Sequence, residues 1–231
     1  MEVIGHRGGA AIAAENTIAA IRAGLEAGAD GVEVDVRLSA DGVAVLMHDP
    51  DVDRTTSGSG RVADLSAAAL RELGVPSLDE ALLAVPRDRL IVVEVKGTPW
   101  DPGHDPSEPA ALLVGARLGA EGDRRVIVSS FNPFALAAVR AVAPGVRTGV
   151  LTSPAFALDS NLSAAVQGGN EECHVPAEIL DQAFVERAHA DGRRVVAWTV
   201  NDPDDVRTFE GWGVDGVITD DPRAAIAALV R

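Results

Sequence analysis

Hydrophobic positions along the chain fall into two alternating kinds of segment. Short β-branched runs occupy Val3-Ile4, Val32 to Val36, Leu90 to Val95, Val126 to Val128, Gly149 to Leu151, Cys173 to Val175, Val195 to Val200 and Val214 to Ile218. Ala-rich stretches of helical period lie between them, at Thr17 to Ala27, Leu78 to Ala84, Pro109 to Leu118, Pro133 to Val142, Ala177 to Ala190, Pro203 to Trp212 and Pro222 to Val230. Strand-helix alternation makes a parallel sheet, and eight repeats predict an α/β chain closed into a (β/α)8 TIM barrel. The pattern leaves no room for another domain, so a single domain over 1–231 is expected. Asn16, Ser77 and Asn132 are placed as helix N-caps, and Pro133, Pro203 and Pro222 suit first turns. The weakest unit lies between Thr152 and Gln167, where Ser153-Pro154 and Ser160-Asn161 interrupt the period.

One stretch breaks the rhythm, an insertion at about 39–76 that exceeds the usual short connection. It starts as a hairpin in which Val34 to Leu38 meets Val43 to Met47 across Asp41-Gly42, and it carries a short helix near Ser66 to Leu73. A loop of this size at a barrel mouth is where function gathers.

Within the second run Glu33 and Asp35 project to one side, and Val32, Val34 and Val36 to the other. Folding the hairpin pairs residues whose numbers sum to about 81 to 83, which sets His48 opposite Glu33 to Asp35. The third run repeats the device with Glu94 and Lys96 on one face. Neighbouring strands then gather Glu33, Asp35 and Glu94, three acids that repel one another unless a cation binds. Oxygen ligands without a His and Cys set point to Ca2+ or Mg2+, with Mn2+ admissible, rather than Zn2+. The competing reading is a salt-bridge cluster with Arg37 and Lys96. The cation is favoured because all three acids come from apolar strands, where burying charge needs strong compensation.

Gly5-His6-Arg7-Gly8-Gly9 follows the first run directly, setting a histidine beside an arginine able to fork onto phosphate, between glycines that let backbone approach a ligand. Ser129 to Asn132, His174, Trp198 to Asn201 and Thr219 to Asp221 add polar groups at other strand ends, the working end of a barrel. For Trp198, rim packing and stacking on substrate stand level; Ser129 has no histidine-acid relay, and His174 stays unassigned. His104 and His189 read as surface residues.

Charge and cysteine content narrow the partners. A formal net charge of −15 argues against nucleic acid and anionic membranes. An anionic substrate must therefore meet positive charge locally, from a bound cation or from Arg7, Arg37 and Lys96. The lone cysteine, Cys173, has no nucleophile context and reads as core filler. With no signal and no apolar run near about 20 residues, a cytoplasmic protein without a transmembrane segment is expected.

These residues resemble the glycerophosphodiester phosphodiesterases over nearly the whole chain. The likeness rests on Gly5-His6-Arg7-Gly8, Glu15-Asn16-Thr17, Glu33-x-Asp35, Asp41-Gly42 through His48-Asp49 and Asp53-Arg54-Thr55-Thr56. It continues with Pro76 to Glu80, Glu94-x-Lys96, Ser130-Phe131-Asn132, Trp198 to Asn201 and Gly216 to Asp220. The resemblance implies hydrolysis of a small-molecule glycerophosphodiester to sn-glycerol 3-phosphate and an alcohol. It assigns Glu33, Asp35 and Glu94 to one divalent cation, His6 and His48 to base and acid, and Arg7 and Lys96 to the phosphate, with a cyclic phosphate that water later opens. The stretch Leu73 to Pro76 is shorter than in many members, and the loops Trp100 to Glu108 and Thr152 to Asn170 match nothing specific. The alternatives are a non-catalytic phosphodiester-binding barrel, lysophospholipase D-like activity at the same site and a different metal-dependent barrel enzyme. The first would have shown a missing histidine or acid, and spider-toxin phospholipases D carry disulfide cysteines that this chain lacks.

Overall fold

Period-two alternation decides which side of each strand meets the helices, and closure of the sheet turns the other side inward. In the computed structural model, which describes residues 1–101, 104–155 and 158–229, the strands are β1 (Glu2–Gly5), β2 (Gly31–Leu38), β3 (Ala44–Leu46), β4 (Leu90–Val95), β5 (Val126–Ser130), β6 (Arg147–Leu151), β7 (Glu172–Pro176), β8 (Arg194–Trp198) and β9 (Gly216–Thr219). All but β3 are parallel and in sequence order, and β1 closes the ring by pairing with both β9 and β2. β3 returns antiparallel along the end of β2, with Val36 opposite Leu46 and Leu38 opposite Ala44. That register is the one the hairpin predicts.

Val32, Val34 and Val36 pack outward in the layer shared with the helices. A second, inner cluster of Ile4, Leu90, Val92, Ile127, Val196 and Ile218 fills the barrel interior. Charge placed beside that apolar interior is costly unless paired.

The helices are α1 (Ile18–Glu26), α2 (Ala67–Glu72), α3 (Leu78–Ala84), α4 (Pro109–Gly119), α5 (Pro133–Val142), α6 (Leu158–Gln167), α7 (Gln182–Ala190), α8 (Pro203–Trp212) and α9 (Pro222–Leu229). Ser77 forms a capping box with Glu80 and Asn132 accepts from the Phe134 N–H, both as predicted. The first cap differs. Thr17, not Asn16, accepts the Ala20 N–H at 3.1 Å, while Asn16 is buried with φ 55 and points elsewhere. The helix expected over Ala177 to Ala190 is split. A single turn covers Ala177–Ile179, Leu180 is extended, and Asp181 caps a fresh start by accepting from Phe184 N. The seventh run, expected to reach Val200, ends as β8 at Trp198, and the last strand begins at Gly216 rather than Val214. Despite Ser160-Asn161, α6 forms; Val230, the expected end of α9, lies outside the described residues, as do parts of the 100–108 and 152–170 loops.

The insertion has its own small core of Val45, Met47, Val52, Val62, Leu70 and Val75. Such a core lets a long connection hold shape above the barrel mouth. Among the described residues no helix is long and apolar enough to cross a membrane.

Candidate active site

The C-terminal ends of β1, β2, β4, β5, β7 and β8 surround a cavity of about 260 Å³, walled by His6, Arg7, Glu33, His48, Glu94, Lys96 and Trp198 among others. Seven of the eight residues singled out from sequence therefore share one wall. The eighth, Asp35, is buried just behind it.

Glu33, Asp35 and Glu94 offer carboxylate oxygens that all lie within 4.8 Å of one another. Burial, then the charges of Asp35 and Glu94, push Glu33 well above the usual carboxylate range. Burial likewise pushes Glu94 up to about 7. Glu33 Oε1 has no hydrogen-bond partner among the described residues. An unpartnered buried oxygen in a cluster of repelling acids is a demand for positive charge, and a hard divalent cation fits that donor set. Part of the demand is met locally. Lys96 Nζ sits 2.8 Å from Asp35 Oδ1 and 2.6 Å from Glu94 Oε1, ion pairs whose angles are poor for hydrogen bonding. Burial opposes the Lys96 charge, yet Glu94 and Asp35 outweigh it and raise its pKa. The salt-bridge reading of the acid cluster is thus partly realised, through Lys96. Arg37 feels the charges of Asp35 and Glu94 but makes no ion pair with them among the described residues; it donates from Nε and Nη2 to the His48 carbonyl at 3.0 and 2.7 Å and so fixes the hairpin end.

Asn16 acts here rather than on the helix. Its Nδ2 donates to Asp35 Oδ2 at 2.7 Å and its Oδ1 accepts the Asp35 N–H at 3.0 Å. The left-handed backbone that makes this possible is one that asparagine tolerates better than most residues. Burial would raise Asp35, but Lys96 and Asn16 outweigh it and hold the carboxyl below its ordinary value.

The first-strand loop is tight. Arg7 also has positive φ, at 50°, and its N–H donates to Glu33 Oε2 at 2.9 Å. Gly8 has φ 91 and packs so closely on α1 that a Cβ would lie 2.6 Å from Ile21 N. The turn brings the Arg7 guanidinium against Glu15, with Nη1 donating to Oε1 at 2.7 Å, while Nε stays 3.5 Å from Asp35.

Each histidine is held by a carboxylate at Nδ1. His6 Nδ1 meets Asp220 Oδ1 at 2.6 Å, and His48 Nδ1 meets Asp49 Oδ1 at 2.8 Å. Since a carboxylate only accepts, Nδ1 carries the proton on both rings and Nε2 is left for chemistry. Asp220 is fixed in turn by Asn201 Nδ2 at 2.6 Å. Burial and then Lys96 lower the His48 pKa, against the opposing hydrogen bond that His48 donates to Asp49. Neither Asp220 nor Asp49 was assigned from sequence, and Asp220 reaches His6 only because β1 lies beside β9.

Other expectations resolve plainly. Trp198 packs edge-on against Phe131 at 5.7 Å between ring centroids. His174 is fully buried on Glu172 at 3.0 Å and fits because Gly149, whose Cβ would lie 2.6 Å from its Nε2, leaves room. Cys173 is buried, and desolvation pushes its thiol up to about 12, in keeping with filler. His104 corrects the surface reading: its side chain is 17% exposed because it folds onto Glu108 at 3.3 Å. His189 is 40% exposed on α7, as expected.

Two carboxylate-held histidines, an arginine and a triad of buried acids gather at the mouth of this barrel, and the proteins that the chain is similar to make it a phosphoric diester hydrolase. The chain belongs to the glycerophosphoryl diester phosphodiesterase family, whose model matches residues 6–224. A glycerophosphodiester phosphodiesterase of Caldanaerobacter subterraneus subsp. tengcongensis is 34% identical over 244 residues, 99% of this chain and 97% of that one. Among solved structures, an Oleispira antarctica phosphodiesterase in complex with the product sn-glycerol-3-phosphate has a TM-score of 0.89 at 27% identity, over 100% of this chain and 97% of that one. A glycerophosphodiester phosphodiesterase from Thermotoga maritima has a TM-score of 0.81 at 30% identity, over 100% and 98% of the two chains.

Proposed function

We propose that this protein hydrolyses small glycerophosphodiesters to sn-glycerol 3-phosphate and an alcohol, with Glu33, Asp35 and Glu94 holding one divalent cation, Ca2+ or Mg2+ or else Mn2+. The observation that carries the reading is the pair of histidines facing one cavity, each with Nδ1 on a carboxylate and Nε2 free. When bound, the cation would offset charge that develops on the phosphoryl oxygens. The chain's own residues do the rest.

Arg7 and Lys96 supply fixed positive charge to the phosphodiester, which otherwise repels a nucleophile. Trp198, braced by Phe131, forms an apolar wall against the glycerol carbons. His6 Nε2 takes the proton from the glycerol hydroxyl next to the phosphate as its oxygen attacks phosphorus. His48 enters the step as the imidazolium, Nδ1–H on Asp49, and gives its Nε2 proton to the departing alkoxide, and the cyclic phosphate remains. In the second step His48 takes a proton from water as the hydroxide attacks, the ring opens, and His6 returns its proton to the glycerol oxygen. Each histidine ends as it began.

The assignment of His48 to the leaving group follows from its place. A cleft of about 610 Å³ shares Lys96 with the catalytic cavity and runs under the insertion past Arg37, Pro50 and Val62. We place the alcohol there, on the His48 side.

The test is a panel of glycerophosphocholine, glycerophosphoethanolamine, glycerophosphoglycerol, glycerophosphoinositol and lysophospholipids, scored by release of glycerol 3-phosphate with each cation. Release from at least one glycerophosphodiester, lost in chelator, is expected. No release from any member with any cation would overturn the reading.

A further inference from the structure

Arg54 stands in the insertion outside the catalytic cavity, with its side chain 47% exposed, a position where ion pairs usually contribute little. Its bonds are unusual for such a place. Nη1 and Nη2 fork onto Glu15 Oε2 and Oε1 at 2.9 and 2.6 Å, and Nε donates to Asp49 Oδ2 at 2.5 Å. Glu15 Oε1 also accepts from Arg7, and the other oxygen of Asp49 is the one on His48 Nδ1. One guanidinium therefore grips two of the carboxylates that orient working residues, one on the β1–α1 loop and one on the insertion.

A carboxylate held at a single oxygen can swing about that contact. Held at both, its plane is fixed, and the directions of its lone pairs fix whatever donates to it. The chain Arg7, Glu15, Arg54, Asp49, His48 alternates in charge and spans the cavity mouth from the phosphate side to the leaving-group side. Lysine could replace the charge but not the three-way fork.

We propose that Arg54 is a positioning residue for both halves of the reaction, aligning Arg7 through Glu15 and His48 through Asp49. The proposal rests on the roles given above to Arg7 and His48. It assigns to the insertion a function beyond covering the mouth: it delivers the group that sets the phosphate arm and the acid in register.

Arg54→Met, and Arg54→Lys as the charge-keeping control, are compared with the wild type on glycerophosphocholine and on a nitrophenyl glycerophosphodiester. The first substrate leaves as an alkoxide that needs a proton; the second leaves as a phenolate that does not. Misplacing an acid costs on the order of a hundred-fold. We expect Arg54→Met to lose about ten- to a hundred-fold in kcat on glycerophosphocholine and several-fold less on the nitrophenyl ester. Arg54→Lys should share the loss. In an Asp49→Asn background the same substitution should add little to that difference, because the contact it acts through is already gone. The dissociation constant for sn-glycerol 3-phosphate, measured by calorimetry, should rise in Arg54→Met and rise no further when Glu15→Gln is added.

Equal losses on both substrates together with additive effects in both cycles would mean that Arg54 serves only general structure, and would overturn the proposal; so would no loss at all. If His48→Ala itself shows no leaving-group dependence, the acid assignment falls, and the product-binding cycle with Glu15→Gln then decides the proposal alone.

Discussion

At the scale of single residues, two histidines in similar settings are separated by what lies beyond their Nε2 atoms. His6 shares its loop with Arg7, to which the phosphate is assigned, whereas the His48 carbonyl is held by Arg37, which lines the larger cleft under the insertion. General acid catalysis contributes about a hundred- to ten-thousand-fold and matters most for poor leaving groups. His48→Ala should therefore be crippled on glycerophosphocholine yet substantially active on a nitrophenyl glycerophosphodiester, and His6→Ala crippled on both, with circular dichroism verifying the fold. Rescue of His6→Ala instead would reverse the roles. Asp220→Asn should mimic His6→Ala more weakly on both substrates, because the ring keeps its nitrogen but loses the carboxylate 2.6 Å from Nδ1. Retention of wild-type rates would leave Asp220 without a part. The acid triad and His48 were legible in sequence because strand alternation and a hairpin sum place them, and His6 because Gly5-His6-Arg7-Gly8-Gly9 follows the first run directly. Asp220 was not, since a partner 214 residues away is visible only once the barrel closes.

At the scale of elements, the β1–α1 loop shows how a plausible local signal can be redirected. Asn16 precedes a helix and suits a cap, but Thr17 follows it and serves as well, freeing Asn16 to reach Asp35. Asn16→Ala removes two buried hydrogen bonds, each worth about 1–3 kcal/mol once a partner is left unsatisfied. It also places alanine at φ 55, which adds a further penalty. Thr17→Ala loses only a cap, about 1 kcal/mol. Urea unfolding should thus rank Asn16→Ala clearly below Thr17→Ala, and the reverse order would return Asn16 to capping. The insertion offers a pH test of its docking. Hydrogen bonding from Arg54 holds Asp49 at about 2, against an ordinary value of 3.8. A depressed carboxyl contributes stability that is complete above 3.8 and is lost as pH falls through about 2. The stability gap between wild type and Asp49→Asn should be constant near neutrality and shrink in that acid window. A gap that holds down to the lowest pH would mean that Asp49 does not act through its charge.

At the scale of the whole molecule, a chain of net charge −15 buries three of its acids together at the mouth of its barrel, which sets catalysis against stability. The barrel itself was legible from the eight alternations, since helix-facing valines and inward acids need only period two to be read. How far the acids are already compensated was not, because the reach of Lys96 to Asp35 and Glu94 depends on side-chain placement above the strands. That placement makes a graded prediction. A cation that binds only the native state stabilises it by about 2.7 kcal/mol at a hundred times its dissociation constant. For a domain of this size that shifts the melting temperature by about 5 to 10 °C. Wild type should melt higher in millimolar Ca2+ or Mg2+ than in chelator at matched ionic strength, and Glu33→Gln should lose most of the shift. Lys96→Met removes the one ammonium found on two of the acids. It should melt lower than wild type in chelator and gain more from the cation, because more repulsion is left for the ion to relieve. Equal melting temperatures with and without cation in all three proteins would show that no metal is held there.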